Sequence, residues 1–286
     1  MSLPTTARSA AALRAQVRAW HAQGLKVGFV PTMGALHDGH LSLVHQAQTA
    51  ADRVMVSIFV NPTQFGPNED LDRYPRDEAG DLAKLGAVGA SLVFLPSVAE
   101  MYPEGASTWV EVEGLSRGLC AEHRPQHFRG VATVVTKLLN QAQADVAVFG
   151  EKDYQQLQLI RRLVQDLAIP TTILGGPTVR EPDGLAMSSR NLNLSPERRR
   201  IAPALYRVLT ETAHALADGR AAAPVLGSAV AAVRAAGFDS VDYVELRDAT
   251  TLAPLPALGA RPGRLLAAAR LGGVRLIDNI PVPVAS

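Results

Sequence analysis

The chain has 286 residues with 28 Lys+Arg against 27 Asp+Glu, and so lacks the clustered basic excess that a nucleic-acid surface needs. A hydrophobic share of 47% with 19% charged residues reads as a compact globule with ample core, in one large domain or two modest ones. One cysteine, Cys120, excludes a disulfide scaffold and a multi-thiolate metal site and fits a reducing cytoplasm, and no apolar run reaches the length of a membrane span.

In chain order, Arg8, Arg14 and Arg18 punctuate an Ala-rich start with the look of a transit peptide. Residues 10–20 nevertheless read as a helix leading into a strand that already carries a motif, so a folded start is expected. Strands are predicted over residues 26–30, 53–60, 91–95, 145–149 and 171–174, most of them continuous apolar runs of the kind covered on both faces. Between them lie helical patterns. The clearest places Val131, Val134, Val135, Leu138 and Leu139 on one stripe, and residues 153–167 form another. This alternation predicts a doubly wound parallel α/β domain with its ligands at the carboxyl ends of the strands.

Near residue 178 the pattern changes. Ser195-Pro196-Glu197 is a strong helix start, with a long helix expected to about residue 217 and a second over residues 222–236. Strands over 240–246, 264–271 and 274–277 complete a smaller α+β domain, with a surface loop over 253–263. The expected division is residues 1–177 and residues 178–286.

Each chemistry-bearing segment follows a predicted strand. After the first come Pro31, Thr32, Met33, Gly34, Ala35, Leu36, His37, Asp38, Gly39 and His40. A glycine turn lets the backbone approach an anion, and the following helix N-terminus offers unpaired N–H groups. His37 and His40, at i and i+3, face the same side of that helical turn. After the second strand come Asn61 and Gln64, whose amides can bind hydroxyls and carboxylates without adding charge, or serve as ordinary turn residues. Gly150, Glu151, Lys152 and Asp153 follow the 145–149 strand. Lys152 stands at a helix start, the wrong end for a cation, which fits either a phosphate ligand or a solvated lysine paired with Glu151 or Asp153. Met187, Ser188, Ser189 and Arg190 lie in a polar loop that could wrap a polyphosphate or merely link two domains. The 122–130 loop, with Arg124 and His127, reads equally as a surface turn. Arg198, Arg199 and Arg200 are expected to face solvent, and His21, His45 and His214 are expected at helical surface or core-edge positions. No P-loop, dinucleotide fingerprint, zinc motif or nucleophile elbow is present in the sequence.

Six segments together resemble the pantoate–β-alanine ligase family: Val-Pro-Thr-Met-Gly-Ala-Leu-His-Asp-Gly-His from Val30, Phe-Val-Asn-Pro-Thr-Gln-Phe from Phe59, and Arg-Pro-Gln-His-Phe-Arg-Gly from Arg124. The others are Phe-Gly-Glu-Lys-Asp-Tyr-Gln-Gln from Phe149, Val-Arg-Glu-Pro-Asp-Gly-Leu-Ala-Met-Ser-Ser-Arg-Asn from Val179, and Leu-Gly-Gly-Val-Arg-Leu-Ile-Asp-Asn from Leu271. They stand in the family's order along nearly the whole chain. The resemblance implies a Rossmann-like N-terminal domain of the nucleotidyltransferase superfamily, a C-terminal lid domain, a homodimer, and ATP with magnesium. It implies that residues 31–40, Gly150 to Asp153, Val179 and Met187 to Arg190 contact ATP, with His40 the proton donor. Gln64 and Gln156 would hold pantoate, and Gln64 would also touch β-alanine. Ala121 and Gln126 stand where the family often has glycine, and Gly80 and Lys84 flank Asp81 where metal-side residues are expected, so the metal ligands stay unassigned.

On this reading His37, His40, Lys152 and Arg190 carry the phosphoryl chemistry, Ser188 and Ser189 help hold the departing pyrophosphate, and Asn61 joins Gln64 and Gln156 at the substrate. A nucleotidyltransferase sharing the His-x-Gly-His segment is the alternative enzyme, against which the uncharged Asn61, Gln64 and Gln156 argue. A non-catalytic nucleotide sensor would be expected to have lost His40, Lys152 or Arg190.

Overall fold

The computed structural model describes residues 3–67 and 69–283. They form two compact units. The first comprises the described residues up to Arg117 together with Arg124–Glu151 and Leu159–Pro177. The second comprises Gly118–His123, Lys152–Gln158 and the described residues from Thr178 onward.

Six parallel strands build the first unit: β1 (Thr5–Ala7), β2 (Val27–Thr32), β3 (Arg53–Ile58), β4 (Leu92–Phe94), β5 (Val146–Gly150) and β6 (Thr172–Gly176), in the spatial order β1-β4-β3-β2-β5-β6. Their helices are α1 (Ala10–His21), α2 (Asp38–Ala50), α3 (Glu78–Ala87), α4 (Val98–Met101) and, beyond α5 (Cys120–His123) of the second unit, α6 (His127–Ala142); α7 (Tyr154–Asp166) runs through both units. Val27, Phe29 and Val30 of β2 are fully buried, as are Met55 and Val56 of β3, because helices cover both faces of the sheet. The predicted Val131–Leu139 stripe is buried along α6. The short β1 was not legible in the sequence, since three residues carry no period of their own. It exists through its pairing with β4.

Chain order reverses between β2 and β5. From β2 the chain moves to β3, and from β5 it moves to β6 on the other side. Doubly wound sheets bind ligands at such a reversal of strand order, at the carboxyl ends of the strands. Thr32 and Gly150 close those ends of β2 and β5.

In the second unit α8 (Pro196–Ile201), α9 (Ala204–Ala217) and α10 (Ala222–Ala235) pack with an antiparallel sheet of β7 (Ser240–Asp248), β8 (Gly263–Leu271) and β9 (Val274–Val282). Two expectations need correcting. The single long helix from Pro196 is broken at Pro203, which has no N–H to continue the ladder; the Ser195 cap and Pro196 at the first turn are as predicted. The last strand extends past Ile277 to Val282, because Asp278 and Asn279 find buried partners and Pro281 is tolerated on an edge strand.

Candidate active site

In the first unit β2 runs into a left-handed pair, Gly34 at φ 82° and Ala35 at φ 52°. A side chain at Gly34 would lie 2.9 Å from the Ile58 methyl and 3.0 Å from an Asp81 oxygen, so the turn requires glycine. Four bonds hold it. Thr32 Oγ1 donates to the Ser57 carbonyl at 2.7 Å, and the buried Asp81 carboxylate accepts the Ala35 and Leu36 N–H groups, each at 2.8 Å. Lys84 Nζ donates to the Leu36 carbonyl at 2.7 Å. Burial pushes the Asp81 carboxyl above its ordinary pKa, outweighing the two amides and Lys84. Asp81 and Lys84 are thus structural members of the turn.

His37 precedes α2, and its ring centroid lies 4.1 Å from that of His40. The His37 backbone N–H donates to His40 Nδ1 at 3.3 Å. Nδ1 is an acceptor in that bond, so neutral His40 carries its proton on Nε2 and can donate from that nitrogen.

Asn61 and Gln64 come together behind Met33. Asn61 Nδ2 donates to Gln64 Oε1 at 3.0 Å and to the Gly130 carbonyl at 3.3 Å, while Asn61 Oδ1 accepts from Thr63 Oγ1 and Tyr102 Oη, each at 2.9 Å. Burial raises the Tyr102 phenol, which keeps it a donor. Gln64 Nε2 lies 3.2 Å from Met33 Sδ. A Cβ at Gly130 would sit 2.3 Å from the Thr63 carbonyl, so glycine there lets α6 approach this turn.

The backbone carbonyl of Gln64 accepts from His127 Nδ1 at 3.0 Å and Arg124 at 3.3 Å. Arg124 also pairs with Glu69 and reaches His127 Nε2 at 3.1 Å. A carbonyl only accepts and a guanidinium only donates, so these two contacts take Nδ1 of His127 as donor and Nε2 as acceptor. Burial raises the Glu69 carboxyl, but the Arg124 hydrogen bond and charge outweigh it and hold it below the ordinary range. The expected 122–130 loop is helical at both ends, and it is Arg124 and His127, beside and at the start of α6, that set Gln64, a role that only contacts across space reveal.

Gly150 and Glu151 belong to the first unit, and the second unit holds Lys152, Asp153, Gln156, Val179 and Met187–Arg190. Lys152 lies in a 3₁₀ turn, Glu151–Asp153, with Nζ 3.8 Å from Asp153 Oδ2 and its carbonyl accepting from Asn279 Nδ2 at 2.8 Å. Gln156 is half-buried in the first turn of α7, whereas its neighbour Gln155 is buried and bonds Cys120 N–H and the Gly118 carbonyl. Residues 179–187 form a small hairpin, with Met187 N–H on the Val179 carbonyl at 3.0 Å. Ser188 caps the 3₁₀ turn Ser189–Asn193 by accepting the Arg190 N–H. Arg198 and Arg199, expected at the solvent face, reach Asp239 and Asp183. Among the described residues no cluster of three or more His, Cys, Asp or Glu could hold a metal ion, and no helix is long and apolar enough to cross a membrane.

The sequence profile of the family described as Pantoate-beta-alanine ligase matches residues 5–281. The pantothenate synthetase of Paramagnetospirillum magneticum is 62% identical over 275 residues, covering 96% of each chain. The crystal structure of pantothenate synthetase from Thermus thermophilus is 48% identical with a TM-score of 0.90, covering 97% of this chain and 99% of that one. The pantoate-beta-alanine ligase of Francisella tularensis, solved with beta-gamma ATP and beta-alanine, is 36% identical with a TM-score of 0.82 over 97% of each chain. By the profile and by these relatives alike, the chain belongs to the pantoate–β-alanine ligase family.

Proposed function

We propose that the chain condenses (R)-pantoate with β-alanine to pantothenate at the expense of ATP, through a pantoyl-adenylate intermediate, releasing AMP and pyrophosphate. The observation that carries this reading is the uncharged Asn61–Gln64 amide pair, locked behind Met33 in the same loop that presents His37 and His40. An amide suits a hydroxy acid whose carboxylate must stay free to attack, where a fixed cation would hold it back.

In the first step the pantoate carboxylate attacks the α-phosphorus in line, and pyrophosphate leaves. Charge grows on phosphate oxygens, so the chain's contribution is positioning and donors aimed at those oxygens. The Nε2–H of His40, the α2 N-terminus and Lys152 serve the phosphates, and Ser188, Ser189 and Arg190 the departing pyrophosphate. In the second step the neutral amine attacks the acyl carbonyl and AMP leaves. Excluding water protects the mixed anhydride from hydrolysis. Magnesium belongs to the reading as a partner of ATP. Asp81 is engaged by two backbone amides and no acidic cluster stands ready among the described residues, so the ion is expected on phosphate and water oxygens. We assign ATP and pantoate binding to residues 1–177 and a lid role to residues 178–286, in a cytoplasmic homodimer.

The test is ATP–pyrophosphate exchange. Exchange is expected to require (R)-pantoate and magnesium but not β-alanine. Exchange that appeared only with β-alanine would refute the two-step order, and exchange that needed a phosphorylated acceptor in place of pantoate would favour a nucleotidyltransferase.

A further inference from the structure

Two adjacent side chains of β9 reach two separate phosphate-binding segments of the second unit. Asn279 is 3% exposed and Asp278 4%. Neighbouring strand residues point to opposite faces, so one two-residue step can serve two loops. On one face Asn279 Nδ2 donates to the Lys152 carbonyl at 2.8 Å, and its Oδ1 accepts from Arg264 Nε at 2.6 Å. Arg264 can only donate, which fixes the orientation of the amide and aims Nδ2 at Lys152. The same guanidinium lies 4.0 Å above the Tyr154 ring, so the Lys152 turn is held at its carbonyl and again at the residue that opens α7. On the other face Asp278 pairs in two-pronged fashion with Arg180, at 2.7 and 2.9 Å. Arg180 also donates to the Gly184 carbonyl and stacks on Tyr206, fixing the hairpin that leads into Ser188–Arg190.

Apolar β-branched residues would fill two buried strand positions without the desolvation cost of an amide and a carboxylate. What polar groups add is direction. We propose that Asn279 and Asp278 are positioning residues for adenylation, Asn279 fixing the Lys152 turn and Asp278, through Arg180, the 179–190 segment. This rests on the phosphate roles given above to Lys152 and Arg190.

The test uses the full-length enzyme and two assays: ATP–pyrophosphate exchange, and pantothenate formation from chemically prepared pantoyl adenylate with β-alanine. Asn279→Asp keeps the acceptor for Arg264 but turns a carboxylate oxygen toward the Lys152 carbonyl. Exchange should fall about tenfold, the scale of losing one buried hydrogen bond, with the amide-forming assay within about twofold of the parent. In a Lys152→Ala background the same substitution should add less than about twofold, because its effect runs through Lys152. Asp278→Asn should raise the KM for ATP about tenfold with the KM for pantoate within about twofold. Equal slowing of both assays by Asn279→Asp, or an undiminished effect in the Lys152→Ala background, overturns the Asn279 role; equal rises in both KM values overturn that of Asp278. Should Asn279→Asp fail to fold, Arg264→Gln, which frees the Asn279 amide to turn, carries the same comparison. A parent inactive in both assays refutes the proposed function itself, whereas an active parent with unaltered variants refutes only the positioning role.

Discussion

The buried Asp81 carboxylate accepts the Ala35 N–H at 2.8 Å, tying α3 to the left-handed turn that leaves β2. Its other oxygen takes the Leu36 N–H, so one side chain satisfies two amides of the segment that aims His37. Asp81→Ala should cost about 2 kcal/mol in urea-unfolding free energy, since two amides lose their partner. It should also raise the KM for ATP. A variant with parental stability and parental KM would show that the turn holds itself.

His127 and Arg124 act on Gln64 through its backbone carbonyl, at 3.0 and 3.3 Å. His127→Ala is therefore expected to raise the KM for pantoate about fivefold, the size of one neutral hydrogen bond, and to leave the KM for ATP nearly unchanged. Steady-state kinetics with each substrate varied in turn checks this. Equal effects on both constants would mean that His127 has only a general role in stability.

Lys152→Ala and His40→Ala should each slow adenylation by about 10²- to 10³-fold, the usual cost of removing one preorganised donor from a developing oxyanion. With preformed pantoyl adenylate the Lys152 variant should recover most of its rate. An equal defect in both half-reactions would place Lys152 in the amide-forming step as well.

Cys120 is buried, 3.0 Å from Tyr243 Oη and 3.5 Å from Arg275, in a packed polar cluster of the second unit. No thioester is needed when the acyl group is activated as an adenylate. Cys120→Ser should leave turnover within about threefold of the parent, because the hydroxyl can keep the bond to Tyr243. A trapped acyl-cysteine seen by mass spectrometry would contradict this.

Glu69 is one of four carboxyls, with Asp145, Asp183 and Asp248, that are held below their ordinary values and so add to the acid-side pH dependence of stability. Burial raises its carboxyl, but the Arg124 bond and charge prevail and hold it below its ordinary value of 4.5. A carboxyl lowered in the folded state contributes stability that is present above 4.5 and is lost as pH falls through the folded value. Glu69→Gln should flatten the acid limb of the stability curve below that pH and change it little at pH 7 beyond a constant offset. Thermal unfolding across pH 3 to 7 measures it, and an unchanged acid limb would exclude a contribution from Glu69.

Much of this architecture was legible because it is written in short-range terms. The apolar runs of β2, β3 and β5, the stripe on α6, and the Ser195-Pro196 helix start each depend on residues a few positions apart. The break at Pro203 is equally local, but the apolar period continues on both sides of it and masks it. The three-residue β1 had no such signal, because its stability comes from β4, far along the chain.

By itself the sequence determined the alternation of strands and helices, the glycine turn and two histidines after β2, and the family to which six ordered segments point. Steric limits on φ and ψ and the burial of periodic apolar faces act within one turn or strand, so residue order suffices to express them. Only the tertiary structure decided which distant groups hold the site. Asp81 meets Ala35 across 46 positions, His127 meets Gln64 across 63, and Asn279 meets Lys152 across 127. Such bonds carry no period and no local preference. They form because a buried polar group must find a partner, and which partner lies within 3 Å is set by how the strands are ordered in space.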